Sequence, residues 1–409
     1  MNHLNRIGSV AALAFAVLGG EAQAQRPVTR AEAVESALSR GPRLAAARAD
    51  TALAAAQLLS ARLLADPAVA LSYSKARPLY HVTVDLPFDF LGIRSARTGS
   101  AEAARRAANL RFALERASIA LDADTTYTRA LAALAHSRLS SSSALDAERL
   151  RSIASQRRDA GDASELDVQL ATVNAGQEVS IAASDSLAVA AELLDLQSVM
   201  GLPSNAVQIT LVDSLAPPPP SAFASAMPDT AFSLTLPVAA ATEQLNSARL
   251  GLRMQRRSVL SPFGINAGFE TGGSVDEKGF LPTVGLTLPI PFLNRNRGGV
   301  AEAQAGLARA RAELDLARLE SDVAIAQARR TQLMQRSRME RDRILVASAN
   351  SVAAMSLTSY REGAAPLASV LEARRASRDV LARYIDDTAE AWITLARLRV
   401  LTLTAGSPR

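Results

Sequence analysis

Cysteine is absent from all 409 residues, which excludes a disulfide framework and a lipid-modified cysteine after an export signal. Aromatic residues make up only 4% of the chain, too few to fill the cores of the two or three globular domains that the length suggests. There are three histidines, with no His-x-x-x-His or comparable ligand spacing and no phosphate-binding glycine loop, so the usual signatures of metal and nucleotide enzymes are missing. Adjacent acids such as Asp386 and Asp387 fall on a helical stretch where neighbours point apart, which argues against a shared catalytic role. Neither an enzymatic activity nor a cofactor or metal is expected. Lysine is confined to Lys75 and Lys278; the other bases are arginines interleaved with acids, as in ARLESDVAIAQARR. At a net charge of +5 this pattern describes solvated helix faces, and no nucleic-acid partner is expected.

Long apolar runs are also missing beyond the amino terminus, where no segment approaches the roughly 20 residues of a spanning helix. The first 24 residues read as an export signal: Arg6 in a basic start, Val10 to Leu18 as the apolar stretch, and Ala22-Gln23-Ala24 as a cleavage site. An exported chain without spanning helices enters a membrane only through β-strands, because closed barrels are the other structure that satisfies the backbone in lipid.

What is present is a repeat. Shifted by 202 residues, HVTVDLPFDFLGIRS from His81 lies over TVGLTLPIPFLNRNR from Thr283, and Gly161 lies over Gly363. Proline is missing between Pro87 and Pro203 and between Pro291 and Pro366, so helices there run long. The heptad-like series Leu307, Ala310, Leu314, Ala317, Ser321, Ala324 and Ala328 supplies a seam of mostly small residues. Before each long helix stand two candidate strands. Val82, Val84, Leu86 and Phe88 alternate with Thr83, Asp85, Pro87 and Asp89; Val284, Leu286, Leu288 and Ile290 alternate with Thr283, Gly285, Thr287 and Pro289. By pattern alone, such strands suit a sheet packed on one face as well as a membrane barrel. The export signal and the lack of a globular core favour the barrel. Four strands cannot close one, since eight leave an interior just wide enough to fill with side chains. An open conduit therefore needs several copies.

The expected organisation is a signal segment 1–24, a first repeat 25–202 (strand hairpin 67–90, helical hairpin 96–200), a proline-rich connector 203–237, a second repeat 238–402 (strand hairpin 263–292, helical hairpin 297–402) and a tail 403–409. The fold class is mainly α with a small β part. The connector reads as a linker or as a small mixed collar around a helical shaft.

The pattern LPIPFLNRNRGGVAEAQAGLARARAELDLAR, with its weaker first copy LPFDFLGIRSARTGSAEAARRAAN, resembles the TolC-type outer-membrane efflux proteins, and within them the CzcC/CusC heavy-metal branch. The resemblance implies a homotrimer, with a twelve-stranded barrel in outer-membrane lipid and a tunnel of twelve helices in the periplasm. It also implies two partners, a periplasmic adaptor (membrane fusion) protein and an inner-membrane pump of the resistance-nodulation-division type. In that setting Asn294, Arg295, Asn296, Arg297 and Gly298 mark the junction of barrel and helix, where the arginines meet lipid phosphates or satisfy a helix end. The periplasmic tips that meet the adaptor are assigned to Gly161, Ser164 and Leu166 in the first copy and Tyr360, Gly363, Pro366 and Leu367 in the second. Gly363 suits a left-handed helix end and Ser164 an N-cap. Where the family carries acids at the tunnel entrance, this chain has Ser369 and Glu372, so one of two carboxylates is missing. Export of metal cations and of drugs or other small molecules both stay open. The competing reading is a periplasmic coiled-coil structural or adaptor protein without a channel, which would not require duplicated strand hairpins.

Overall fold

The computed structural model describes residues 26–404, excluding 77, 89–91, 204, 226–234, 261–262, 272–278, 289 and 293. The export signal lies outside the described residues, as do Asp89, Pro289, Lys278 and residues 405–409 of the tail.

Two helices set the dimensions. Helix α3 (Ile93–Asp159) has 67 residues and α7 (Arg297–Arg361) has 65, each about 100 Å at 1.5 Å per residue. Each returns through a tight turn into a 35-residue helix, α4 (Glu165–Val199) or α8 (Leu367–Leu401), and these two partners sit 202 residues apart. Helix α2 (Pro42–Arg62) covers the other part of α3, and α6 (Leu236–Arg257) the other part of α7. The side chains show how the long helices are shared. Tyr127 and Leu131 pack with Leu196 of α4, Ile119 and Ala123 with Leu44 of α2, and Ala310 and Leu314 with Val238 and Leu245 of α6. The wall therefore runs in the order α2 with α4, then α3, then α6 with α8, then α7.

The small-residue seam is present: Ala310, Leu314, Ser321 and Ala328 are buried, and Ile325 is buried where Ala324 is only partly covered. An α-helix gains about 20° per heptad on a 3.5-residue repeat, so the contact line moves to the next residue. No helix among the described residues is long and apolar enough to cross a membrane.

Around the middle of the shaft, β1 (Arg26–Val28) pairs in parallel with β4 (Ile209–Leu211), and Thr29 opens α1 (Arg30–Arg40) with a full capping box. The Tyr127 hydroxyl donates to Val28 O at 3.0 Å or Asp213 Oδ2 at 2.8 Å, fixing this layer to α3. On the other side, α5 (Pro220–Ser225) places Phe223 against Ala328, Ala391, Leu395 and Leu398. Trp392 Nε1 donates to Ala216 O at 2.7 Å. Described parts of 203–237 thus pack on the helices as a mixed α/β layer.

The remaining strands, β2 (Ala68–Tyr73), β3 (Tyr80–Phe88), β5 (Phe263–Thr271) and β6 (Phe280–Thr287), form one antiparallel sheet in the order β2-β3-β5-β6. Strand β6 stops at Thr287, short of residue 292. Proline at 289 and 291 has no N–H to continue a ladder, so Leu288 and Ile290 lie beyond the strand.

Candidate functional site

The register of the sheet sorts most of its side chains by polarity between two faces, the exceptions being Thr271 on the apolar face and Ala68, Ala70, Pro87 and Leu281 on the polar one. Val69, Leu71 and Tyr73 oppose Val84, Val82 and Tyr80; the row continues through Ala267, Phe269 and Ile265 to Val284, Pro282 and Leu286. Neighbouring rows on the other face carry Ser72, His81, Thr83, Asp85, Asn266, Glu270, Thr283 and Thr287, with Gly264, Gly268 and Gly285 between them. A water-soluble sheet buries its apolar face, and this one does the reverse. Along β3 and β5 the apolar positions are generally the more exposed and the polar ones partly covered, with Leu86 39% and Phe269 56% exposed. That arrangement fits a sheet curled with its polar face inward, as in a barrel bounded by lipid. Tyr73 and Tyr80, ring centroids 5.3 Å apart, sit at one rim, and Phe88 and Phe263 at the other. Aromatics at both ends match the girdles of membrane barrels.

Below the sheet, the junction is held by amides and arginines. Asn296 has φ 53°, the one positive value outside glycine among the described residues, and it precedes α7. Its Nδ2 lies within hydrogen-bonding distance of Gln255 O (2.9 Å), Gln255 Oε1 (2.9 Å) and Ser258 Oγ (2.8 Å), so the start of α7 is fastened to the end of α6. The other copy uses Gly92, φ 72°, whose carbonyl accepts from Arg257 at 3.2 Å. Arg94 and Arg97 donate to Arg62 O (3.0 Å) and Ala61 O (3.0 Å), satisfying carbonyls at the end of α2. Asn294, Arg295, Arg297 and Gly298 are exposed. A cation on the first turn of α7 gains nothing from that helix's own dipole.

At the opposite end the two helical turns share one construction. Gly161 (φ 86°) and Gly363 (φ 79°) each adopt the left-handed conformation. Asp162 N reaches back to Arg157 O at 2.8 Å and Ala364 N to Ser359 O at 2.9 Å, the six-to-one bond of a glycine-ended helix. Ser164 caps α4 reciprocally with Asp167. Pro366 stands at the N-cap of α8 and Leu367 begins the helix, so the proline precedes the first turn instead of lying in it.

Tyr360 and Leu367, assigned above to the docking surface, are 2% and 1% exposed. They pack with Leu150, Ala154, Val168 and Val370, joining the two turns from inside. Burying these apolar groups stabilises the tip, and of the assigned residues Gly161, Ser164, Leu166, Gly363 and Pro366 stay exposed, Leu166 at 66%. Sequence reading missed the residue that clasps the turns. The Arg157 guanidinium stacks 4.6 Å from the Tyr360 ring centroid and donates to the carbonyls of Tyr360 and, at 3.0 Å, Asp162. Its equivalent in the second copy is Ser359, so the repeat offers no cue.

One turn farther on, a groove of about 1300 Å³ opens between the two helical hairpins, lined by residues of α3, α4, α7 and α8 that include Glu372. Arg378 pairs with the buried Glu178 across to α4, Arg374 reaches Asp146 of α3 at 3.5 Å, and Ser377 Oγ lies 2.7 Å from Asn350 Oδ1 of α7. Ser369 does not stand in for a missing acid: its hydroxyl donates to Pro366 O at 2.7 Å within the first turn. Asp386 and Asp387 do point apart. Asp386 meets His136 at 2.8 Å, while Asp387 faces Arg338 at 3.7 Å and the Asp342 carboxyl.

The chain has the fold of outer-membrane channel proteins. The CmeC outer-membrane channel of Campylobacter jejuni superposes with a TM-score of 0.76 at 15% identity, covering 93% of this chain and 87% of that one. CusC, described in terms of folding and transmembrane channel formation, gives 0.75 at 14%, with 91% of each chain covered. The outer membrane protein VceC of Vibrio cholerae gives 0.73 at 16%, covering 91% and 95%. No protein-family model and no curated protein sequence matches the chain.

Proposed function

We propose that the protein is the outer-membrane channel of a tripartite efflux system, a passive conduit from periplasm to exterior. The observation that carries this is the inverted sheet, apolar on its exposed face and polar on its covered one. Closure follows from topology. The unpaired edges are β2 and β6, and the four strands alternate in direction, so β6 of one copy joins β2 of the next in the antiparallel sense. At the same height above the turns the helical wall ends in exposed apolar flanks, Val173, Val179 and Leu187 of α4 on one side and Ile344, Val352 and Met355 of α7 on the other. Two different surfaces that meet head to tail generate a ring. Three copies, twelve strands, is the smallest ring with more strands than the about eight that side chains fill, and it agrees with the homotrimer that the resemblance implies.

In this reading Arg295 and Arg297 meet lipid phosphates at the foot of the barrel. The exposed tip residues Gly161, Ser164, Leu166, Gly363 and Pro366 receive the adaptor, while Tyr360 and Leu367 position them. An inner-membrane pump of the resistance-nodulation-division type supplies direction and energy, and the cargo is a metal cation or another small molecule. The test joins single-channel conductance in a planar bilayer with oligomeric mass in the same detergent. A conducting trimer supports the channel. A monomer that never inserts leaves the periplasmic coiled-coil reading standing.

A further inference from the structure

Apart from two tyrosines, the titratable side chains of the four strands are Asp85, Glu270 and His81, and there is no lysine or arginine. All three project from the polar face. Glu270 lies opposite His81, with 3.2 Å between Oε1 and Nδ1, and Asp85 lies opposite Asn266, whose Nδ2 donates to Thr287 Oγ1 at 3.3 Å. The two acids fall at different levels, separated by four residues of strand, roughly 13 Å at 3.3 Å per residue. Three copies would line the interior with two acidic rings.

The entrance groove has a different balance. Its charged lining is Asp146, Glu178 and Glu372 against Arg374, Arg375 and Arg378. Arg374 and Arg378 are engaged with Asp146 and Glu178. Glu372 and Arg375 remain, both exposed and one turn apart on the same face of α8. Their fields oppose one another within a Debye length of about 10 Å at 0.1 M salt.

We propose that cation preference resides in the barrel, at Asp85 and Glu270, and that the tunnel entrance is close to electroneutral because Arg375 offsets Glu372. This rests on the channel reading above. A narrow interior with low-dielectric walls concentrates the field of fixed charges, raising the local counter-ion concentration about tenfold or more. At the entrance the same mechanism has almost no net charge to act on. The acids of the barrel therefore determine which charge sign passes, and the groove admits either.

The experiment is the cation-to-anion permeability ratio of the purified full-length protein in a planar bilayer, from reversal potentials in a KCl gradient at pH 8. The double variant Asp85→Asn/Glu270→Gln is expected to lower the ratio about threefold or more, as field focusing predicts. Glu372→Gln alone should change it far less, and Arg375→Gln should raise it. Asp85→Glu/Glu270→Asp should retain the parental ratio, which separates charge from shape. If the double variant fails to insert, each single neutral variant should still lower the ratio. A conducting parent whose ratio is unaffected by neutralising the barrel acids, or is abolished by Glu372→Gln, overturns this assignment and leaves the channel intact. A parent that never conducts overturns the channel reading itself.

Discussion

Replacing Gly363 tests whether the tip is a docking surface, because the structure separates its backbone role from its exposure. At φ 79° an L-residue meets the left-handed penalty, about 1–2 kcal/mol. Steric crowding adds nothing: a Cβ there would meet only Arg157 Nη2, at an ordinary 3.6 Å. Beneath the turn, Tyr360, Leu367 and Val370 are all buried. Each such side chain contributes about 1.5–3 kcal/mol, so their sum exceeds the strain and the turn persists. The sheet lies at the far end of a 65-residue helix, beyond the reach of a local change. Gly363→Ala and Gly363→Leu bear the same backbone cost, but only leucine projects bulk into the open space. In the native host, accumulation of a fluorescent efflux substrate should rise to the level of a deletion strain for Gly363→Leu and much less for Gly363→Ala. Both variants should keep a heat-modifiable, SDS-resistant oligomer in the outer-membrane fraction. Wild-type export by the leucine variant would refute the docking surface; loss of the oligomer would refute the claim that the tip is energetically separate from the barrel.

Three further outcomes are expected. Val284→Arg on the apolar face should cost about 2–4 kcal/mol per copy if the residue lies near the bilayer midplane and abolish the SDS-resistant oligomer, whereas Thr283→Arg on the polar face should preserve it; equal behaviour would contradict the assignment of faces. Burial first, and then the Asp342 carboxyl, push Asp387 up to about 6 from 3.8. The stability contributed by a carboxyl raised in this way is complete below its unfolded value near 4 and is lost as pH climbs through 6; the whole displacement is worth about 3 kcal/mol, reduced by solvent at a side chain still 20% exposed to about 1 kcal/mol. Thermal melts between pH 4.5 and 7.5 should therefore show a fall that Asp387→Asn flattens, and an unchanged slope would remove this pair from the explanation. Tyr360→Ala should cost about 3–5 kcal/mol at the tip, read as faster amide exchange in the two turns with the oligomer intact; protection equal to the parent would exclude its role as the internal post.

The sequence by itself carried the long helices, the strand pairs and the two glycine turns, because each depends on local chemistry. Absence of proline permits length, period-two alternation writes a strand, and a glycine followed by a capping residue ends one helix and starts another. The repeat added that both halves follow one plan. The alternation carried β6 through Ile290, past its end at Thr287, although Pro289 and Pro291 just beyond that end are the local signal that stops it.

Tertiary structure alone decided which residues meet. Tyr360 and Leu367 carry no sequence mark separating an internal post from a docking surface, and only the approach of α3 and α4 buries them. The same holds for Arg157, whose partners Tyr360 and Asp162 lie on both turns, and for Asn296, fastened to Gln255 and Ser258. Glu372 looks like an isolated acid in sequence, yet the groove brings Asp146 and Glu178 from other helices to Arg374 and Arg378, leaving Arg375 beside it. Alternation fixed two faces for each strand but not which was outward. That was settled by the register, which joins most of the large apolar side chains into one continuous exposed surface and collects Asp85, His81 and Glu270 on the other. Local periodicity assigns side chains to a face; only pairing between distant strands gives that face a direction.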